Sequence, residues 1–255
     1  MLVFSYLKNE YLKARKAFFI FIFGSLTAFW MLPSVAAPAV ADTMAQRVQA
    51  CTACHGAQGQ AGPDGYYPRI AGKPAGYLYN QLMHFRHGNR NYRLMTHMVE
   101  PLSPAYLHDM ATHFANLSLP YPPPAPVTAS PQALARGEQL ALHGDKALRL
   151  PACAACHGKA FTGVLPFTPG LAGLPRDYLN SQLGAWQSGA RHAAAPDCMA
   201  DIARRLGPAD VAAVSTWLAS QPLPADARPL AALAEPTPLE CGALKQPTAH
   251  AGGTP

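Results

Sequence analysis

Charge is scarce in this chain. Asp, Glu, Lys and Arg make up 13% of its 255 residues, too little for long solvated coiled coils, and the 49% of hydrophobic residues supplies a core that a disordered chain lacks. A membrane-length apolar run is also missing. The run from Ala17 to Leu32 covers 16 residues before Pro33 closes it, short of the roughly 20 that cross a bilayer. Lys8, Lys13, Arg15 and Lys16 precede it and Ala39-Val40-Ala41 follows, so residues 1–41 read as a secretory signal, with an uncleaved anchor as the alternative. Its removal leaves 16 Lys and Arg against 13 Asp and Glu. The net charge of +3 that results holds no basic stripe and excludes a nucleic-acid partner. With 26 Pro and 20 Gly, the remainder should fold as short helices and many turns, in one large domain or two small ones.

Cysteine is sparse but patterned. Four of the 6 lie in Cys51-Thr52-Ala53-Cys54-His55 and Cys153-Ala154-Ala155-Cys156-His157, two copies of the attachment pattern for haem c. Two thiols separated by two residues can each add to one vinyl group of a single haem, and the adjacent His then binds the iron. Chance would supply roughly 0.005 copies in a chain of this composition. A redox dithiol needs no His after its second Cys, and a zinc knuckle needs a fourth ligand at short spacing. The motifs therefore predict two covalent haem c groups, held by Cys51, Cys54 and His55 and by Cys153, Cys156 and His157.

The two motifs belong to an internal repeat. Pro68-Arg69-Ile70-Ala71-Gly72 matches Pro169-Gly170-Leu171-Ala172-Gly173 at an offset of 101, and Tyr77-Leu78 matches Tyr178-Leu179 at the same offset. Apolar stripes Leu78/Leu82/Phe85 and Leu179/Leu183/Trp186 have helical spacing. Later helices open at Ser103-Pro104, burying Leu107, Met110, Phe114 and Leu117, and at Gly207-Pro208, burying Val211, Val214 and Leu218. A run of prolines around Tyr121 reads as an extended linker, with Ser130-Pro131 capping the next helix. The expected division is a first domain at 42–119, a linker at 120–130, a second domain at 131–224 and a tail at 225–255. The expected fold is all-α, one tandem unit wrapped around each haem.

Each iron needs a sixth ligand. Met95 lies seven residues before Leu102, and Met199 seven before Leu206. These equivalent places make the two methionines the expected ligands, since thioether sulfur suits ferrous iron. His97, Met98 and Cys198 are the competitors. His84, His87, His108, His113, His143, His192 and His250 have no such symmetry and read as surface or packing residues.

From about Ala45 to Leu223 the chain resembles the cytochrome c4 family, periplasmic proteins in which two class I cytochrome c domains pack about a pseudo-twofold axis. The resemblance rests on Cys51, Cys54, His55, Pro68, Ala71, Gly72, Gln81 and Met95, and on Cys153, Cys156, His157, Pro169, Ala172, Gly173, Gln182 and Met199. It implies that the carbonyls of Pro68 and Pro169 accept the Nδ1–H of His55 and His157. The chain departs from the family in its proline-rich linker, its tail, and the pair Cys198 and Cys241.

That pair has three readings: a disulfide tying down the tail, two free thiols, or Cys198 as a thiolate ligand that would suggest sulfur chemistry. The bridge is favoured because neighbours in an extended segment point to opposite sides, which turns Cys198 away from an iron that Met199 faces.

Iron bound on both faces leaves no open position for substrate, so the expected function is single-electron transfer rather than catalysis. The resemblance places the relay in the periplasm, between a quinol-oxidising complex or dehydrogenase and a terminal oxidase or reductase. The alternatives are a tightly bound cytochrome subunit of a periplasmic dehydrogenase, and a haem enzyme of peroxide or sulfur chemistry. Contact with the membrane is expected only through an uncleaved anchor or membrane-bound partners.

Overall fold

The computed structural model describes residues 41–62, 66–124, 126 and 128–245. The signal segment up to Val40, and His250, lie outside the described residues. In the first half, α1 (Met44–Arg47), α2 (Gln49–His55), α3 (Ala75–Arg86), α4 (Arg93–Val99) and α5 (Pro104–Ala115) follow one another. The second half contains α6 (Pro131–Glu138), α7 (Ala154–His157), α8 (Arg176–Ser188), α9 (Cys198–Arg205) and α10 (Pro208–Ser220). Its small hairpin pairs β1 (Gly163–Val164) antiparallel with β2 (Thr168–Pro169).

The two expected serine caps form. Ser103 Oγ accepts the Tyr106 N–H and Ser130 Oγ accepts the Ala133 N–H, each at 3.2 Å. Pro104 and Pro131 occupy the first helical positions, where their missing N–H costs nothing. Helix α5 buries Leu107, Met110, Ala111 and Phe114. Together with Val48, Leu78, Phe85 and Val99 they make the first core, and Leu117, just beyond the helix, packs partly buried against it. In the second half, Val211, Val214, Trp217 and Leu218 of α10 meet Leu140, Phe161, Leu179 and Leu206.

A glycine sets the closest helix approach. A Cβ on Gly137 of α6 would lie 2.6 Å from Trp217 Cβ and collide with the Ala213 carbonyl of α10. Two ion pairs brace the same crossing, from Arg136 to Asp145 and to Asp210, at 2.7 Å each. The first half has a looser counterpart, Arg47 to Asp109 at 2.9 Å, with Arg47 lying over the Tyr106 ring.

From Thr43 onward the chain is one compact unit, because main-chain bonds join the two halves. Asn91 N–H donates to Ala190 O at 2.7 Å and His192 N–H to Asn89 O at 2.6 Å, flanking a bridge between Arg90 and Arg191. The buried Lys73 ammonium donates to Gly170 O at 2.9 Å, and burial, with Arg69 nearby, pushes its pKa down to about 7. The buried Arg69 guanidinium anchors the linker by donating to Leu119 O (2.6 Å) and Pro120 O (3.0 Å) while lying over the Tyr121 ring.

Candidate functional site

His55 and His157 each end a short helix and are 8% exposed. A glycine follows each, Gly56 at φ 85° and Gly158 at φ 80°, a left-handed conformation that stops the helix and turns the chain away. The turned chain returns through Pro68 and Pro169, whose carbonyls each lie 2.8 Å from the Nδ1 of the corresponding histidine. Donating from Nδ1 holds the ring and leaves the Nε2 lone pair for a metal. Burial lowers both pKa values, which favours the neutral, ligating form.

Cys51, Cys54, Cys153 and Cys156 are partly buried and outside any disulfide. Cys51 packs against the first core and Cys153 against the second. Burial raises the Cys51 and Cys156 thiols and pushes Cys153 up to about 11.

The proposed sixth ligand of the first half separates from its rivals by burial, and that of the second half by a disulfide. Met95 packs partly buried against the first core, whereas His97 is exposed and Met98 is 36% exposed. Met199 is partly buried in the first turn of α9. Cys198 is bridged to Cys241, with Cα atoms 5.5 Å apart, and so is unavailable as a thiolate. The expected extended geometry at this point is corrected. The Asp197 carboxylate accepts the Ala200 N–H at 3.0 Å, caps α9 and starts the helix at Cys198. Cys198 and Met199 therefore point about 100° apart rather than to opposite sides, and that angle still separates the bridge from the methionine. Met95 likewise lies inside a helix, α4.

Sequence reading missed a hub between the halves. Arg90 donates to Gln81 Oε1 (3.0 Å), Gln182 Oε1 (2.6 Å) and Tyr178 OH (3.0 Å). Arg191 donates to the same two amide oxygens, at 2.9 and 2.8 Å. Arg90 lies over the Phe85 ring and Arg191 over Trp186. The arginine pair, the glutamine pair and the Phe85/Trp186 pair all share the 101-residue offset, the signal that could have found the arginines. Burial, with Arg90 adjacent, pushes the Arg191 pKa down to about 10. Neither guanidinium has a carboxylate partner among the described residues.

Three buried donors, Trp186 Nε1, Arg86 Nη1 and Ser215 Oγ, lack an acceptor among the described residues. Unpaired donors and unneutralised cations, with Arg90 close enough to His55 and Lys73 close enough to His157 to disfavour their protonation, suit an acidic ligand. Haem c fits that chemistry, since it carries two propionates as well as two vinyl groups for paired thiols.

Residues 134–222 match the family model for cytochrome c. The chain is 38% identical over 215 residues to the thiosulfate dehydrogenase electron acceptor of Thiomonas intermedia, covering 84% of this chain and 95% of that one. It is 33% identical over 188 residues to cytochrome c4 of Thiocapsa roseopersicina, covering 72% and 94%. The reduced cytochrome c4 structure from Pseudomonas stutzeri superposes with a TM-score of 0.61 at 29% identity, covering 71% of this chain and 98% of that one. A thiosulfate dehydrogenase structure from Marichromatium purpuratum gives 0.63 at 33% identity over 71% of this chain and 39% of that longer one. The fold, the paired attachment motifs and these relatives agree: the chain belongs to the cytochrome c4 family and is a two-haem, electron-carrying c-type cytochrome.

Proposed function

We propose that the protein is a periplasmic relay that accepts single electrons from a thiosulfate-oxidising dehydrogenase and passes them to a terminal oxidase or reductase. The observation that carries the donor is the 38% identity to a thiosulfate dehydrogenase electron acceptor across 84% of this chain, a longer match than the 72% found with cytochrome c4 of Thiocapsa. A quinol-oxidising complex is the competing donor. Cys51 and Cys54 would hold one haem with His55 and Met95 on its iron, in a domain at 42–119. Cys153 and Cys156 would hold the other with His157 and Met199, in a domain at 131–224, and 120–130 joins the two. Bound this way, each haem supplies a one-electron ferric/ferrous couple.

The chain's own part is to fix and tune. Pro68 and Pro169 hold the imidazoles in register through their carbonyls, and a ligand held still needs little rearrangement when iron changes charge. The Arg90/Arg191 hub places positive charge between the halves. Replacing Arg191 by Met removes one charge, disfavours ferrous iron and should lower at least one reduction potential. A charge interaction of about 1 kcal/mol corresponds to roughly 40 mV for one electron. Spectroelectrochemical titration reads this directly, and unchanged potentials would remove the hub from the tuning role.

The donor is tested by mixing the oxidised protein with purified thiosulfate dehydrogenase and thiosulfate in the absence of any other acceptor. Both irons should become ferrous, and omitting either component should leave them ferric. Reduction by a quinol-oxidising complex with none by the dehydrogenase would reassign the donor. The longer Marichromatium chain, of which this one matches 39%, favours a second reading as a bound dehydrogenase subunit. Gel filtration of native extract decides that point, because a free carrier elutes near its own mass.

A further inference from the structure

The described part of the tail, 225–245, carries none of the proposed haem-binding residues, yet it is fastened at two places. Leu230 joins the β1 hairpin, its N–H donating to Gly163 O at 2.9 Å and its carbonyl accepting the Leu165 N–H at 2.8 Å. Its side chain covers Gly158, where an added Cβ would lie 3.0 Å from Leu230 Cδ1. Gly158 directly follows His157. Farther along, Cys241 is bonded to Cys198, which directly precedes Met199. Gly242 N–H donates to Pro196 O at 3.0 Å, and the fit against the Ala194 and Ala195 carbonyls leaves no room for a side chain. The tail thus runs from beside one proposed ligand of the second iron to beside the other.

The first half has no such cover among the described residues. At Gly56, the counterpart of Gly158, the nearest atoms to an added Cβ are those of Ala61 in its own loop. Met95 sits between Leu94 and Met98, which are 45% and 36% exposed. Tyr67, whose ring centroid lies 6.0 Å from that of His55, packs against Tyr66, which is 60% exposed.

We infer that the tail is a disulfide-pinned strap across the second haem crevice, leaving the first haem as the port for redox partners. The haem held by Cys51, Cys54, His55 and Met95 would take one electron from a reduced partner, oxidising that partner by one electron, and would pass it to the haem held by Cys153, Cys156, His157 and Met199, with no bond made or broken. This rests on the reading of Met95 and Met199 as ligands.

The test measures solvent access at each site in the intact holoprotein. Ascorbate, a one-electron donor that leaves the disulfide intact, renders both haems ferrous and diamagnetic. Ring current then resolves the two ligand-methionine methyl resonances, and a neutral gadolinium chelate is titrated in. The Met95 methyl should relax several-fold faster than the Met199 methyl. In Cys241→Ser, and in a chain ended after Pro224, the Met199 enhancement should rise to within about twofold of the other. Hydrogen exchange at 158–168 should rise with it. Equal enhancement in the unaltered protein, or no change in both variants, overturns the strap alone. Absence of two ring-shifted methyls overturns the ligand assignment and the strap together.

Discussion

Replacing Met199 by Ala should leave one of the two irons five-coordinate. About half of the long-wavelength absorption of methionine-ligated ferric haem should vanish, the ferrous protein should bind one carbon monoxide per two haems, and one potential should fall, because loss of a neutral soft donor disfavours ferrous iron. Met95→Ala should do the same at the other site. His97→Ala and Met98→Ala should change neither spectrum, since both side chains face solvent. Cys198→Ser should be equally silent in the visible range, because its sulfur is bonded to Cys241. Optical spectra of these five variants with and without carbon monoxide check the whole set. If Met98→Ala removes the band, Met95 is not the ligand.

The largest stability effect is expected from a single added methyl group. Gly137→Ala gains helix propensity worth up to about 1 kcal/mol, but places its Cβ against the Ala213 carbonyl and 2.6 Å from Trp217 Cβ. Backbone cannot swing aside as a flexible side chain can. Helices α6 and α10 must therefore separate, which loosens the packing of Trp217 and strains the Arg136 pairs to Asp145 and Asp210. The overpacking penalty wins, and a net loss of about 3 kcal/mol is expected. It should fall on the second half. Denaturant unfolding followed at each haem should show the second site losing its methionine ligation at lower denaturant while the first shifts little. A shift shared equally by both sites would mean that the two cores unfold as one.

Much of this was legible in the chain because the chemistry is local. Covalent attachment to two vinyl groups demands two thiols at fixed spacing with the histidine beside them, so Cys51 to His55 and Cys153 to His157 stand out without knowledge of the fold. Ser103-Pro104 and Ser130-Pro131 were legible for the same reason, since a cap is satisfied within three residues. The methionines required the repeat as well as the residue type, and burial separates Met95 from His97 and Met98. Local conformation was misjudged at Cys198, where the Asp197 cap starts a helix that simple alternation does not foresee. The arginine hub escaped notice because its meaning is long-range. Arg90 and Gln182 are far apart in the chain, and nothing near either one announces that two guanidiniums will share two amide oxygens. The tail was visible as a departure from the family, but where it fastens depends on the folded hairpin and on Pro196.

The shared hub also bears on how the halves can diverge. Each glutamine oxygen serves both arginines, so a substitution at any of these four positions is felt on both sides of the molecule at once, as in a homodimer where every mutation appears twice. Elsewhere the duplicated halves can drift independently, and they have done so directly beneath the hub, with Phe85 under one guanidinium and Trp186 under the other. Unequal surroundings at a symmetric contact are a route by which a tandem duplication can turn two equivalent redox centres into an ordered pair, a downhill step encoded in one gene and unavailable to a dimer of identical chains.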